Sequence, residues 1–316
     1  MHYSEPHLTY ERQLALLKSR GVTCDDDAAG LRFLQANGYY NVTGYVYPFR
    51  LPDPSGVGRL DQVQPGTRLE DVARLLAFDR DLRVLLLKGI QIVEVSVRAN
   101  IAYGLGARDP VGHTTTTNLD PAATSRMQTR HGRTRSAFDW WIEEYGRLQD
   151  RARTEPYVAH NLAKYGPPLP IWIACEFLDF GAVTRLFTFL MHADRQRIAA
   201  TAGLPRERTL RSCLTTMNYV RNACAHNARL WNRVLIQKVQ LRQSDLPTEL
   251  AYLAGGPGDK LYPVIALTAW LTTHFNPSAG WAYDMAGLLA AFPSIPGRSI
   301  QEMSAPLAWQ GSAPWR

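Results

Sequence analysis

The chain has 316 residues, 46% of them hydrophobic, enough for one large domain or two smaller ones around a packed core. No apolar run reaches the ~18 residues that a membrane-spanning helix needs, and the first residues, with His2, Glu5, His7, Glu11 and Arg12, lack a signal-peptide pattern, so the expected location is the cytoplasm. A net charge of +7 favours a polyanionic partner, and Cys24, Cys175, Cys213 and Cys224, without metal-ligand spacing, read as reduced packing residues.

In chain order, residues 8–20 have helical periodicity and end at Gly21, and Asp25, Asp26 and Asp27 mark the capped start of a second helix through Ala36. Residues 39–49, dense in aromatics, read as an extended segment lying on a helical core. Residues 51–66, with three prolines and three glycines, read as a loop. Thr67-Arg68-Leu69-Glu70 fits a capping box that opens a helical region to about Tyr103, with a break near Phe78. Within that region Gln91, Glu94 and Arg98 make a short polar row on an apolar helix.

Residues 104–135 are polar and basic, with Arg126, Arg130, His131, Arg133 and Arg135 in quick succession, and read as a flexible loop suited to phosphate contacts or as a solvated insertion. Residues 136–153 follow as a helix burying Phe138, Trp141, Ile142, Tyr145 and Leu148. After the turn at Pro167-Pro168-Leu169-Pro170, a third core helix spans residues 171–190. It contains Asp179-Phe180-Gly181, the letters of the kinase magnesium motif, but no phosphate-binding glycine loop or catalytic loop accompanies them. Residues 257–275 and 281–292 read as two more helices before an irregular tail. CxxC pairs, HExxH, a Walker loop and a GxSxG elbow are all missing, which leaves metal hydrolase, NTPase and α/β-hydrolase readings without support.

The most informative stretch is Met217 to Arg233, placed on a helix over residues 209–240 because it lacks Gly and Pro. At about 100° per residue, Asn222, His226, Arg229 and Arg233 then share one stripe. Histidine exchanges protons near neutral pH, Asn222 one turn earlier is placed to orient its ring, and the long side chain of Arg221 offers a donor fork to phosphate oxygens. Such a set supports general acid/base work on a phosphodiester; a plain solvated face is the competing reading.

The segment Arg221-Asn222-Ala223-Cys224-Ala225-His226 resembles the Arg-polar-x-x-x-His signature of HEPN domains. With Arg229-Leu230-Trp231-Asn232-Arg233 it is similar to the Abi-like (abortive-infection) family of bacterial anti-phage proteins. Asn37 to Phe49, Phe78-Asp79-Arg80-Asp81-Leu82-Arg83, Ile92 to Arg98 and Pro170 to Gly181 resemble further parts of that family, so the likeness covers residues 10–240. Two departures stand out: Asn227 where the family often has a second histidine, and Asn41 where it has an arginine.

The resemblance implies an all-α fold: an N-terminal helical arm with the aromatic box (residues 1–66), a HEPN-like helical bundle (67–240) and a C-terminal helical extension with a tail (241–316). It implies an endoribonuclease of phage defence that needs no metal or other cofactor, with Arg221, His226 and Asn222 as catalytic residues. Glu94, Arg98, Arg229, Arg233 and Asn227 are second-tier or RNA-binding candidates. The first and last helices of HEPN domains pack together, so Glu94 and Arg98 are expected to face the Arg221/His226 site. The implied partners are an RNA substrate, a second copy of the chain, and an antitoxin protein or small non-coding RNA, with no membrane. The alternative is a non-catalytic HEPN module that binds RNA or senses a partner in a defence or toxin–antitoxin system.

Overall fold

A computed structural model describes residues 7–316; His2 and Glu5 of the N-terminal reading lie outside the described residues. The protein is predominantly all-α, with two small two-stranded sheets at its periphery. Helix α1 (Tyr10–Ser19) stops at Arg20, and Gly21 takes a φ of +96°, open to glycine at no steric cost. The side chain of Asp26 accepts from Ala28 N and Ala29 N at the start of α2 (Asp27–Asn37), so the Asp run is a helix cap.

The aromatic box is helical, not extended: α3 (Tyr39–Val46) is followed by a 3₁₀ turn at Tyr47–Phe49. Its Val, Thr and Tyr residues favour strands in isolation, but Val42, Tyr45, Val46 and Phe49 fall on one helical face and bury there. Residues expected as a loop instead pair as a hairpin of β1 (Arg50–Pro52) and β2 (Arg59–Val63).

The long helix α4 (Leu69–Gly106) is the axis of the fold and has no break at Phe78. Leu75, Phe78, Leu82, Leu86, Ile90, Val93, Val97, Ile101 and Leu105 recur every three or four residues, so one apolar stripe holds the helix against the core along its length. Its start is not a capping box. Thr67 Oγ1 donates to Gln64 O at 2.7 Å, while Glu70 Oε1 accepts from Asp25 N at 2.9 Å, tying α2 to α4.

The basic insertion is ordered. After α5 (Pro121–Thr124), strands β3 (Met127–Arg130) and β4 (Arg133–Ser136) pair in register around His131 (φ +50°) and Gly132 (φ +74°). Arg130, Arg133 and Arg135 lie 5.6, 5.4 and 5.5 Å from the ring centre of Trp140, whose quadrupole attracts them. Ser136 and Asp139 form a capping box at the start of α6 (Ala137–Arg151), which buries Trp141, Tyr145 and Leu148 while Ile142 stays at the surface.

Following α7 (Pro156–Tyr165), the expected third core helix is two helices, α8 (Ile171–Phe177) and α9 (Phe180–Phe189). Leu178 is extended, and the Asp179 carboxylate accepts from Ala182 N at 2.8 Å, so a side-chain cap competes with the helix and restarts it. Helices α10 (His192–Thr201), α11 (Glu207–Ala225), α12 (Leu261–Phe275) and α13 (Trp281–Ala290) complete the bundle, with α8, α9, α11, α12 and α13 all packed on α4. One cluster of buried apolar side chains runs from Leu14 to Ala313. The four cysteines are free thiols, and burial pushes Cys175, Cys213 and Cys224 up to about 12. Among the described residues, no helix is long and apolar enough to cross a membrane.

Candidate active site

Helix α11 exists because Leu210, Cys213, Leu214, Met217, Val220 and Cys224 recur at helical spacing and bury against α4, α9 and α10. It ends at Ala225, some fifteen residues before the expected end at 240. His226 is the C-cap, and Asn227 adopts the left-handed conformation at φ +55°. Asn227 N donates to Cys224 O at 3.0 Å and Ala228 N to Ala223 O at 2.9 Å, the pair of bonds of a Schellman motif. Asparagine tolerates this backbone better than most residues, so the side chain that replaces the family's second histidine also stops the helix.

Asn222, His226, Arg229 and Arg233 therefore do not form one helical stripe. Beyond the cap the chain turns back, and Leu230 and Trp231 become fully buried. Their N–H groups donate to the carboxylate of Asp79, at 3.1 Å and 2.6 Å. The same carboxylate accepts from Tyr45 Oη and from Arg83 Nη1, each at 2.6 Å, so one fully buried acid on α4 joins α3, α4 and the segment after the motif. Arg229 donates to Gly44 O of α3, and burial holds its proton affinity below the usual arginine value. Arg233 reaches Tyr219 Oη at 3.1 Å and stacks 5.8 Å from that ring. Both arginines brace the turn.

Arg221, Asn222, His226 and Asn227 are exposed at the end of α11. Arg221 Nη1 donates to Asn222 Oδ1 at 3.2 Å, so the amide faces the guanidinium and its oxygen is not directed at the imidazole. Both residues line a cleft of about 230 Å³ with Glu144, Asp179, Arg185 and Asn218. His226 lies outside that lining, one turn further along.

Glu94 and Arg98 stand behind the cleft as an ion pair on α4, with Arg98 Nη2 also donating to Leu178 O at 2.6 Å where α8 and α9 separate. Burial raises the Glu94 carboxyl, against the lowering fields of Arg98 and Arg221, and Asp179 raises it further. The Glu94–Arg98 pair thus lies within electrostatic reach of Arg221. Reading the sequence missed Asp179, Asn218, Arg185 and Asp79. The first two had a signal: Asn218 sits four residues before Asn222, and an Asp followed by Phe-Gly is a good helix cap. Asn41 is exposed on α3. Among the described residues no three His, Cys, Asp or Glu side chains are grouped to hold a metal ion.

Fold and site together define an all-α bundle protein with a small polar cleft, lined by two arginines and two acidic residues, at the end of α11. Residues 32–232 match the family model of the Abi-like proteins, and the chain belongs to that family. Membership suggests a role in abortive-infection defence. No curated protein and no solved structure matches the chain.

Proposed function

We propose that the protein is a metal-independent HEPN-type endoribonuclease acting in abortive-infection phage defence. RNA carries its own nucleophile, so the protein need only position the strand, move two protons and stabilise charge. The 2′-oxygen attacks the adjacent phosphorus as a base takes its proton; the bond from phosphorus to the 5′-oxygen breaks, and that oxygen is protonated as it leaves. The products are a 2′,3′-cyclic phosphate and a 5′-hydroxyl. His226 is assigned the proton transfer, Arg221 the donation to the phosphate oxygens, and Asn222 the positioning of Arg221, with Glu94 and Arg98 supporting the cleft from behind.

The observation that carries this reading is the placement of Arg221 at the mouth of a polar cleft, with an exposed imidazole one turn beyond it on the same helix end. A single imidazole serves poorly as both base and acid, so the working unit is a homodimer in which two copies of Arg221 and His226 face one groove. The same exposure leaves room for an antitoxin protein or small RNA to cover the site.

Incubation with total RNA in EDTA tests the proposal, with cleavage expected from the wild type and lost in both His226→Ala and Arg221→Ala. Full-rate cleavage by a strict monomer would refute the paired site. The second reading, a module that binds RNA or a partner without cutting, is favoured by one contact, the engagement of the Asn222 oxygen by Arg221. It predicts RNA binding by the wild type with no cleavage under any condition.

A further inference from the structure

A second cavity, of about 780 Å³, lies alongside the N-terminal half of α11 and is walled by α9, α5 and the segment around residues 238–245. Arg126, Arg185, Arg211 and Arg242 line it, and none of them makes an ion pair among the described residues. The two carboxylates in its wall are already taken. Asp245 is gripped by Arg208, whose Nε lies 2.6 Å away, and Asp120 accepts from Arg195 at 3.1 Å and from Ala122 N at 3.0 Å. The lining therefore presents several uncompensated positive charges.

Arg185 is the most telling of them. It is half-buried, and burial and then the neighbouring Arg130 draw its proton affinity below the ordinary arginine value, against the opposing fields of Glu144 and Asp179. Neither carboxylate forms an ion pair with it among the described residues, so its donors remain available to a phosphate. Arg185 also lines the smaller cleft with Arg221, so the two cavities share a wall. On α11 the shared wall continues: Arg208, Arg211, Thr215, Asn218 and Asn222 are spaced by three and four residues, one face of the helix. Arg208, Arg211 and Thr215 line the larger cavity, Asn218 and Asn222 the smaller. From Arg211 to Asn222 this face extends about 16 Å at the helical rise, room for four or five stacked nucleotides at about 3.4 Å each.

We infer that the cavity is the entry track for single-stranded RNA, whose phosphates sit on Arg126, Arg185, Arg211 and Arg242 and lead the strand along α11 to Arg221. This rests on RNA being the substrate, and it names where the strand lies. Hydroxyl and amide groups interleaved with the arginines, at Ser212, Thr215 and Asn218, suit sugar and base edges without demanding one sequence.

The test is fluorescence anisotropy with a labelled 2′-O-methyl RNA 12-mer, which lacks the nucleophilic hydroxyl, titrated with the full chain at several salt concentrations. Arg126→Ala/Arg211→Ala/Arg242→Ala should weaken binding at least about 30-fold. Its salt slope should fall by roughly 2, because each phosphate contact on a single strand contributes about 0.7. Thr215→Glu, which keeps every arginine and adds a carboxylate at an exposed position in the track, should weaken binding several-fold; circular dichroism checks that both variants fold.

Binding by the triple variant within twofold of wild type, with the same slope, overturns the inference. So does competition by free nucleoside polyphosphate as strong as that of the oligomer, which would make the cavity a nucleotide site. Wild-type protein that binds the 12-mer through these arginines yet cleaves no unmodified RNA leaves the track standing and removes the nuclease. Wild-type and triple variant that cleave and bind alike do the reverse.

Discussion

Replacing Asp79 with alanine should cost more stability than any other single change near the site. The carboxylate is fully buried and accepts from Tyr45 Oη, Arg83 Nη1, Leu230 N and Trp231 N. Removing it leaves the Arg83 guanidinium, itself only 8% exposed, without its counter-charge; breaking a buried pair from one side costs about 3–5 kcal/mol. The three remaining donors lose their acceptor too, at roughly 1–3 kcal/mol each before relaxation and water entry. These effects overlap, so about 4 kcal/mol is the expected net loss. At roughly 2 °C per kcal/mol for a chain of this size, Tm should fall by about 8 °C. Urea unfolding followed by tryptophan fluorescence reads this directly, since Trp231 sits on the broken contact. Asp79→Leu combined with Arg83→Met should cost less than the sum of the two single changes, because the double variant leaves no buried charge unpaired. A loss below 1 kcal/mol for Asp79→Ala, or strict additivity in the double variant, would refute the idea that this acid clamps the segment after the motif.

Gly89 lets α13 approach α4, since a Cβ there would lie 2.4 Å from the Trp281 ring, itself fixed by a 2.7 Å bond from Nε1 to Leu85 O. Gly89→Ala should therefore destabilise by about 1–2 kcal/mol in chemical denaturation, overpacking outweighing the gain in helix propensity. His113 is sealed from solvent against Tyr145, ring centres 5.0 Å apart, and burial lowers its pKa from 6.5 to about 4. The unfolded chain takes up this proton first, so the stability linked to His113 is present above pH 6.5 and is lost as pH falls towards 4, by up to roughly 3 kcal/mol. His113→Phe should flatten the wild-type slope between pH 6.5 and 4 by that amount, and an unchanged slope would show that the imidazole is not neutral in the fold. At Asn227, φ +55° predicts near-neutrality for Asn227→Gly and a loss of about 1 kcal/mol for Asn227→Ala in thermal unfolding.

Much of the fold is legible in the residues themselves. Apolar spacing from Leu75 to Leu105 yields the axis helix, the Asp25–Asp27 run announces the cap of α2, and the family likeness sets Arg221 near the Glu94–Arg98 pair. These signals are local, because period and capping chemistry act within one or two turns. What the sequence could not settle depends on partners distant along the chain. The aromatic box became a helix because that conformation buries Val42, Tyr45, Val46 and Phe49 together and brings Tyr45 Oη to the Asp79 carboxylate on α4. The extended helix expected through residue 240 ended at Ala225, and beyond its cap Leu230 and Trp231 gained a carboxylate 151 and 152 residues away. The arginines then divided by what stands opposite them: Arg229 and Arg233 spend donors on carbonyl and phenol oxygens, Arg221 gives one to the Asn222 amide, and Arg185 and Arg211 line a cavity without an ion-pair partner among the described residues. The same residue type braces a turn or awaits an anion according to what the tertiary fold sets opposite it, and no pattern within the chain carries that information.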